Sequence, residues 1–501
     1  MFYGDGIGGF TTVEKHTDSM GTIRYTMLNS GKPDATSHDA AATQALLAHI
    51  PLVFHPSPAN VVILGLGSGM TAGEVLHYPV RRVDVLEINE QVIKAAHFFD
   101  DWNNRFAEDP RTRIIVQDGR NHLLLSRMQY DVVISEPYNP WMAGMASLYT
   151  QESFETIRER LNDGGIFIQW VNAGRMDWPT LAMVGKTFAE VFSNSLMMVS
   201  PVGGADFFFV GIKGNDPLRL SVAEGNLGFA SRSKVMRLAD ARLLYHLILT
   251  DRVAAMFADG VIHSDDRPYL EFAAPRHLYA SSRGIANELK QRPRISEATA
   301  AIIESSSNLE TALNMAELST SMFAPEFPAI DLAAATPQQM SRYRSLVREF
   351  CAKRVIENYM MFYDDRSREI CADVQTGFIE RHLVDSPGDG RAWGELGAIY
   401  AKRRQFDKAY MALERYIAAK PDEPNAHFRM GVLMVMRKSF DRARGQFQKT
   451  VSLNPDHTGA LLYLAKLSLL EGDKAAAIRK LNQVLAVEKN PEAEALLRRI
   501  E

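Results

Sequence analysis

From about residue 60 the chain alternates short apolar runs with segments of helical length. Val61-Val62-Ile63-Leu64, Val83-Asp84-Val85-Leu86-Glu87, Arg113-Ile114-Ile115-Val116, Tyr130-Asp131-Val132-Val133-Ile134 and Ile166-Phe167-Ile168-Gln169-Trp170 read as strands. The first is apolar throughout, as a strand buried on both faces is. Helices are expected over Thr71–His77, Glu90–Phe99 and Ser153–Leu161, the last stopped by Asp163-Gly164-Gly165. This alternation predicts an α/β fold with a doubly wound, mostly parallel sheet. Ser195–Val199 and Phe207–Val210, parted by Gly203-Gly204, predict a closing antiparallel pair.

The flanking regions follow other patterns. Phe10–Glu14 and Ile23–Leu28 are rich in β-formers and are separated by Asp18, Ser19 and Gly21, which predicts a small antiparallel sheet. A helix over Asp39–Ile50 follows it. Beyond residue 216, helices are expected over Ala241–Phe257 and Gln338–Tyr363, with a helical connector over 285–335. From about residue 388 a repeat sets in. Gly397, Gly431 and Ala465 are 34 residues apart, as are Ala409, Ala443 and Ala477, and Pro421 and Pro455. That period belongs to tetratricopeptide-like helical pairs, whose small residues permit close packing. The expected division is a β-sheet domain with helix over 1–55, a Rossmann-like nucleoside-binding domain over 56–215, a helical extension over 216–384 and an all-α repeat array over 385–501.

A chain of 501 residues is too long for one core, and 46% hydrophobic with 23% charged residues is ordinary for a globular protein. A net charge of −4 gives no reason to expect a nucleic-acid partner. Cys351 and Cys371 are too few for a disulfide framework or a zinc site. The histidines show no metal spacing, and Asp265-Asp266 before Pro268 reads as a turn, so no metal is expected. Without a long apolar run or a basic-then-apolar leader, a cytoplasmic location is expected, or the soluble part of a membrane-associated system.

Gly65-x-Gly67-Ser68-Gly69 follows the first strand and precedes a helix. Glycine there permits a tight turn and close approach of a ligand to the backbone. Glu87 ends the next strand, 22 residues beyond Gly65, where a carboxylate can accept from both ribose hydroxyls. Asp118, before Gly119, either caps a helix or accepts from an adenine amino group. Met70 breaks the G-x-G-x-x-G spacing, so an adenosyl ligand without pyrophosphate fits better than a dinucleotide. After the fourth strand, Ser135-Glu136-Pro137-Tyr138-Asn139-Pro140-Trp141 lies where open sheets bind ligands. Glu136 can serve as a general base on an amine, and Tyr138 and Trp141 can wall in a cationic or apolar substrate.

These residues resemble the spermidine synthase-like polyamine aminopropyltransferases over about residues 1–215. The resemblance rests on Ala48-His49-Ile50-Pro51-Leu52, Val61–Gly69, Val85–Asn89, Asp109-Pro110-Arg111, Asp118-Gly119, Tyr130–Ile134 and Gly164–Gln169. Ser135–Trp141 and Asp265–Phe272 look more like the bacterial branch often fused to membrane segments. It implies that Glu87 holds the ribose, Asp118-Gly119 the adenine, and that Glu136 stands at the family's catalytic acid. It implies decarboxylated S-adenosylmethionine as donor and a diamine as acceptor. Asn139 stands where the family has an acid for the far substrate amine, Ser68 where its glycine loop has an acid for the donor amine, and Thr43-Gln44-Ala45 where it has Tyr-His-Glu. Gln44 is therefore a candidate substrate residue, and S-adenosylmethionine itself remains open as donor.

Three readings follow. The first is aminopropyl transfer to an amine. The second is methyl transfer from S-adenosylmethionine to a small molecule in the same pocket. The third is a non-catalytic nucleoside-binding scaffold. In each, residues 385–501 are expected to dock a peptide or protein partner, and a homo-oligomer is possible.

Overall fold

The computed structural model describes the chain apart from residues 8, 18–22, 38–40, 141, 143, 202–205, 278–282, 293–294, 322–329, 333, 353–364, 489 and 501. It divides into two compact units, Met1–Asp365 and Arg366–Glu501.

The first unit opens with an antiparallel sheet of four strands in sequence order, β1 (Phe2–Gly6), β2 (Gly9–Thr17), β3 (Ile23–Asn29) and β4 (Lys32–Thr36). Helix α1 (Ala41–Phe54) follows, every residue of it buried. The expected helix limits were Asp39 and Ile50. Pro51 lies in the last turn without ending the helix.

The second sheet has eight strands. They are β5 (Asn60–Leu64), β6 (Arg82–Glu87), β7 (Thr112–Val116), β8 (Tyr130–Ser135), β9 (Leu161–Asn172), β10 (Ser195–Val199), β11 (Asp206–Ile212) and β12 (Ile248–Thr250). Their spatial order is β12-β10-β11-β9-β8-β5-β6-β7. The strands from β7 to β9 pair in parallel, and β11, β10 and β12 add antiparallel neighbours. The order reverses between β5 and β8, and a crevice opens at the C-terminal ends there.

Alternate residues along the central strands enter separate cores. Val61, Ile63, Val83, Val85, Val132 and Ile134 pack with α1 residues on one face. Val62, Leu64, Leu86, Val133 and Phe167 pack on the other with Phe154, Leu181 and Phe188. Both faces being covered is why these strands are almost continuously apolar.

Five helices follow strands of this sheet. They are α2 (Met70–Val75), α3 (Glu90–Ala96), α4 (Gly119–Leu125), α5 (Gln151–Arg160) and α6 (Trp178–Val191). Neither α4 nor α6 was expected, yet each has an Asp N-cap, Asp118 and Asp177. His49 on α1 joins Glu74 on α2 through Nε2 at 2.8 Å and the Tyr78 hydroxyl through Nδ1 at 2.8 Å. Arg111 donates to the Leu76 and Tyr78 carbonyls and to Asp109. The His49 and Asp109–Arg111 motifs thus fasten α2 in place beneath the crevice.

Two expectations need correction. The helix expected to run to Leu161 ends at Arg160, and Leu161 already pairs with Tyr130 in β9. The glycines Gly164 and Gly165 sit in a bulged stretch of that strand instead of forming a stop. Ala241–Phe257 is not one helix. It is a 3-10 segment (Ala241–Leu247), strand β12 and a short helix (Val253–Met256), because Ile248 and Thr250 pair with β10. Of Gln338–Tyr363, a helix covers Pro337–Ala352, and residues 353–364 lie outside the described residues.

In the second unit a helix over Asp365–Asp385 precedes three pairs, Gly390–Lys402 with Phe406–Ala419, Pro424–Met436 with Phe440–Leu453, and Thr458–Leu470 with Lys474–Val487. A final helix covers Pro491–Ile500. Ala409, Ala443 and Ala477 are fully buried at equivalent contacts. A Cβ on Gly397 would lie 2.7 Å from Leu413, and on Gly431 2.6 Å from the Phe447 ring, so the small residues are set by helix approach. Among the described residues no helix is long and apolar enough to cross a membrane.

Candidate active site

At the reversal point, three glycines take left-handed backbone, Gly65 at φ 95°, Gly67 at 52° and Gly69 at 78°. A Cβ on Gly65 would stand 2.6 Å from the Glu136 carbonyl, so the turn after β5 and the turn after β8 require glycine to meet. They enclose a cavity of about 170 Å³. Gly65, Gly67, Glu87, Asp118, Gly119, Glu136, Tyr138 and Gln44 all line it.

Glu87 ends β6 and accepts from the backbone amides of Asn89 at 2.8 Å and Leu66 at 3.2 Å. Burial outweighs these bonds and pushes its carboxyl up to about 7. Of the two readings of Asp118, the structure shows the helix cap. Asp118 caps α4, accepting from the Asn121 amide at 2.7 Å, and it lines the cavity. Ser68 lies behind the wall. It is fully buried and donates to Gln44 Oε1 at 2.7 Å, holding the amide of α1 against the glycine loop.

Glu136 follows β8. Its Oε2 accepts from the Thr71 hydroxyl at 2.7 Å, and its Oε1 is buried with no hydrogen-bond partner among the described residues. Burial, with the charges of Asp34 and Glu87 adding to it, holds this carboxyl well above the usual range. Tyr138 shares the wall, and burial raises its phenol. Asn139 is buried and is not among the residues lining the cavity, so the structure does not bring it to the other candidates. Trp141 lies outside the described residues.

Sequence reasoning missed two acids. Asp34 on β4 and Asp206 at the start of β11 both line the cavity. Asn29 donates to Asp34 at 3.0 Å and Asn172 to Asp206 at 2.9 Å. Burial pushes each carboxyl to about 6, against the opposing influence of Lys32 and these amides. The one available signal for Asp206 was a charge opening the apolar run Phe207–Val210. Among the described residues no cluster of His, Cys, Asp and Glu is arranged to hold a metal ion.

A glycine-turned crevice with a buried acid at the end of β6 and a second carboxyl after β8 defines the class, a Rossmann-like domain. Residues 40–204 match the spermine/spermidine synthase domain, and residues 434–500 match a tetratricopeptide repeat. The polyamine aminopropyltransferase of Aeropyrum pernix is 31% identical over 169 residues, 33% of this chain and 54% of that protein. That of Thermotoga petrophila is 28% identical over 190 residues, 37% of this chain and 64% of that protein. The chain thus spans about half to two thirds of the length of these curated relatives. The crystal structure of spermidine synthase from Thermotoga maritima is similar at 22% identity, covering 44% of this chain and 74% of that one with a TM-score of 0.38. The resemblance read from the sequence is borne out over residues 40–204, and the repeat over 434–500.

Proposed function

We propose that the first unit transfers an aminopropyl group from decarboxylated S-adenosylmethionine to an amine. One observation carries this reading: Glu136 presents a buried carboxyl oxygen, unpartnered among the described residues, to the cavity that Glu87 and the glycine loop also line. Glu87 accepts from the ribose hydroxyls, and Asp118 with Gly119 lies against the adenine. In the empty cavity burial favours the protonated form of the Glu136 carboxyl. A sulfonium and an amine cation entering beside it favour its ionised form, which is then a base poised for the incoming nucleophile. Glu136 takes a proton from the amine, and the amine nitrogen attacks the aminopropyl carbon next to sulfur. The C–S bond breaks, its electron pair stays on sulfur, and methylthioadenosine leaves as a neutral thioether.

The charge of the wall supports a donor without a carboxylate. Asp34, Glu87, Glu136 and Asp206 line one cavity, and a methionine carboxylate beside them meets like charge. Calorimetric titration with S-adenosylmethionine, its decarboxylated form and methylthioadenosine tests this. Tighter binding of the decarboxylated donor, with methylthioadenosine as the product of turnover, is the expected result. Preference for S-adenosylmethionine, with S-adenosylhomocysteine as product, replaces the reading with methyl transfer. The helical repeats are proposed to dock a protein or peptide partner, as arrays of this kind do.

A further inference from the structure

The resemblance gives the far amine of the acceptor to the position of Asn139. That side chain carries no charge and is not on the cavity wall. Two partly buried acids that also line the cavity have no part in the transfer step. Asp34 comes from the small N-terminal sheet and Asp206 from the antiparallel edge of the large one. Each is oriented by a neutral amide, Asn29 for Asp34 and Asn172 for Asp206, which fixes the carboxylate without cancelling its charge. Lys32, half-buried, is the cation whose charge acts on both. Burial lowers its own ammonium, with Arg175 adding to this, while Asp34 and Asp206 act to raise it. Four acids therefore line the cavity, and buried carboxylates are costly unless a cation meets them. Trp170 and Tyr138 lie on the same wall system and offer apolar surface to a methylene chain.

We propose that Asp206, with Asp34 beside it, holds the distal ammonium of a diamine or longer polyamine while Glu136 receives the reacting amine. This rests on the proposed transfer to an amine and adds which residues select the acceptor. An acceptor with one amine loses the distal ion pair and binds as if the far wall were absent. Asp206 is thus a substrate-binding residue that sets the requirement for a second charge.

The test is calorimetry on the full chain saturated with methylthioadenosine, titrated with 1,4-diaminobutane and with butylamine. Wild type is expected to prefer the diamine by roughly ten- to a hundredfold, the range of a hydrogen bond to a charged group. Asp206→Asn is expected to erase that preference while methylthioadenosine affinity, which reports a folded site, stays unchanged. Asp206→Glu is expected to restore part of it. Asp34→Asn, changed in a different sheet, is expected to weaken the preference less. A wild-type chain without the preference, or an Asp206→Asn chain that keeps it, overturns the assignment. Turnover separates the two readings. If no amine reacts but the preference vanishes in Asp206→Asn, aminopropyl transfer fails and the ammonium site stands. If diamines react and Asp206→Asn leaves their KM unchanged, the ammonium site fails alone.

Discussion

The two units use carboxylates in opposite ways. In the second unit, acids at or near the surface pair with cations from other helices: Arg403 with Asp373, Arg429 with Glu395 at 2.7 Å, Arg444 with Glu471, and Lys466 with Glu492 at 2.8 Å. Arg429 and Glu395 lie one repeat apart, so the pairing follows the period of the array. In the first unit, Asp34, Glu87, Glu136 and Asp206 are withdrawn from water into one cavity and held mainly by amides and a hydroxyl. Surface pairs contribute little to stability, while unmatched buried acids raise the energy of the empty site. Charge that stabilises little is spread along the repeats, and charge that costs stability is gathered in one cavity, where the proposed cationic ligand would offset it.

This contrast is broken most sharply at Glu136. Glu136→Gln should lower turnover by on the order of a hundred- to ten-thousandfold while leaving methylthioadenosine affinity intact, since the amide cannot take a proton. Steady-state rates set beside calorimetry check it, and a fully active variant removes Glu136 from the mechanism. Glu87→Ala should weaken nucleoside binding about a hundredfold, as two ribose hydroxyls lose a charged acceptor; unchanged affinity would take Glu87 out of the pocket. In the repeats, Gly431→Ala sets a methyl against the Phe447 ring. It should destabilise the second unit by about 1–2 kcal/mol, overpacking outweighing the gain in helix propensity. Thermal unfolding should show this with amine transfer untouched.

Smaller effects sharpen the same comparison. Glu87 titrates near 7 when empty and must be ionised to accept ribose hydroxyls. Nucleoside affinity should therefore rise roughly tenfold between about pH 6 and 8. Stability of the empty first unit should move the other way. Asp34, Glu87 and Asp206 have folded values raised above their unfolded ones. The folded state then binds more protons, and stability falls as pH rises from about 4 through 7. A flat melting profile across that window contradicts the burial of these acids. Arg429→Ala should cost under about 1 kcal/mol, because its partner Glu395 is solvent-accessible; a larger loss in denaturant unfolding would mean the pair does more than decorate the array.

How much of this was legible follows from the environment of each residue. Strands β5, β6, β8 and β9 stood out because both faces are covered, which leaves apolar runs little else can make. The glycine loop and Glu87 stood out because they are local, a turn and a strand end at fixed spacing. The 34-residue period made the helical pairs readable. Ala241–Phe257 misled because an apolar segment near a sheet edge has no helical signature to lose, and pairing of Ile248 and Thr250 with β10 decided it. Asp34 and Asp206 were invisible for a different reason. Asp34 stands between Pro33 and Ala35 and Asp206 opens an apolar run, and only the closure of two sheets around one cavity brings them together. Asn139 is buried and is not among the residues lining the cavity, which linear distance from Glu136 does not reveal.

The construction of the cavity from two sheets also couples them. The loops after β5, β6 and β7 line the cavity together with residues of β4 and β11. The cavity is in this sense a socket assembled from two sheets, its two parts joined by the charge that Asp34 exerts on Glu87 and Glu136.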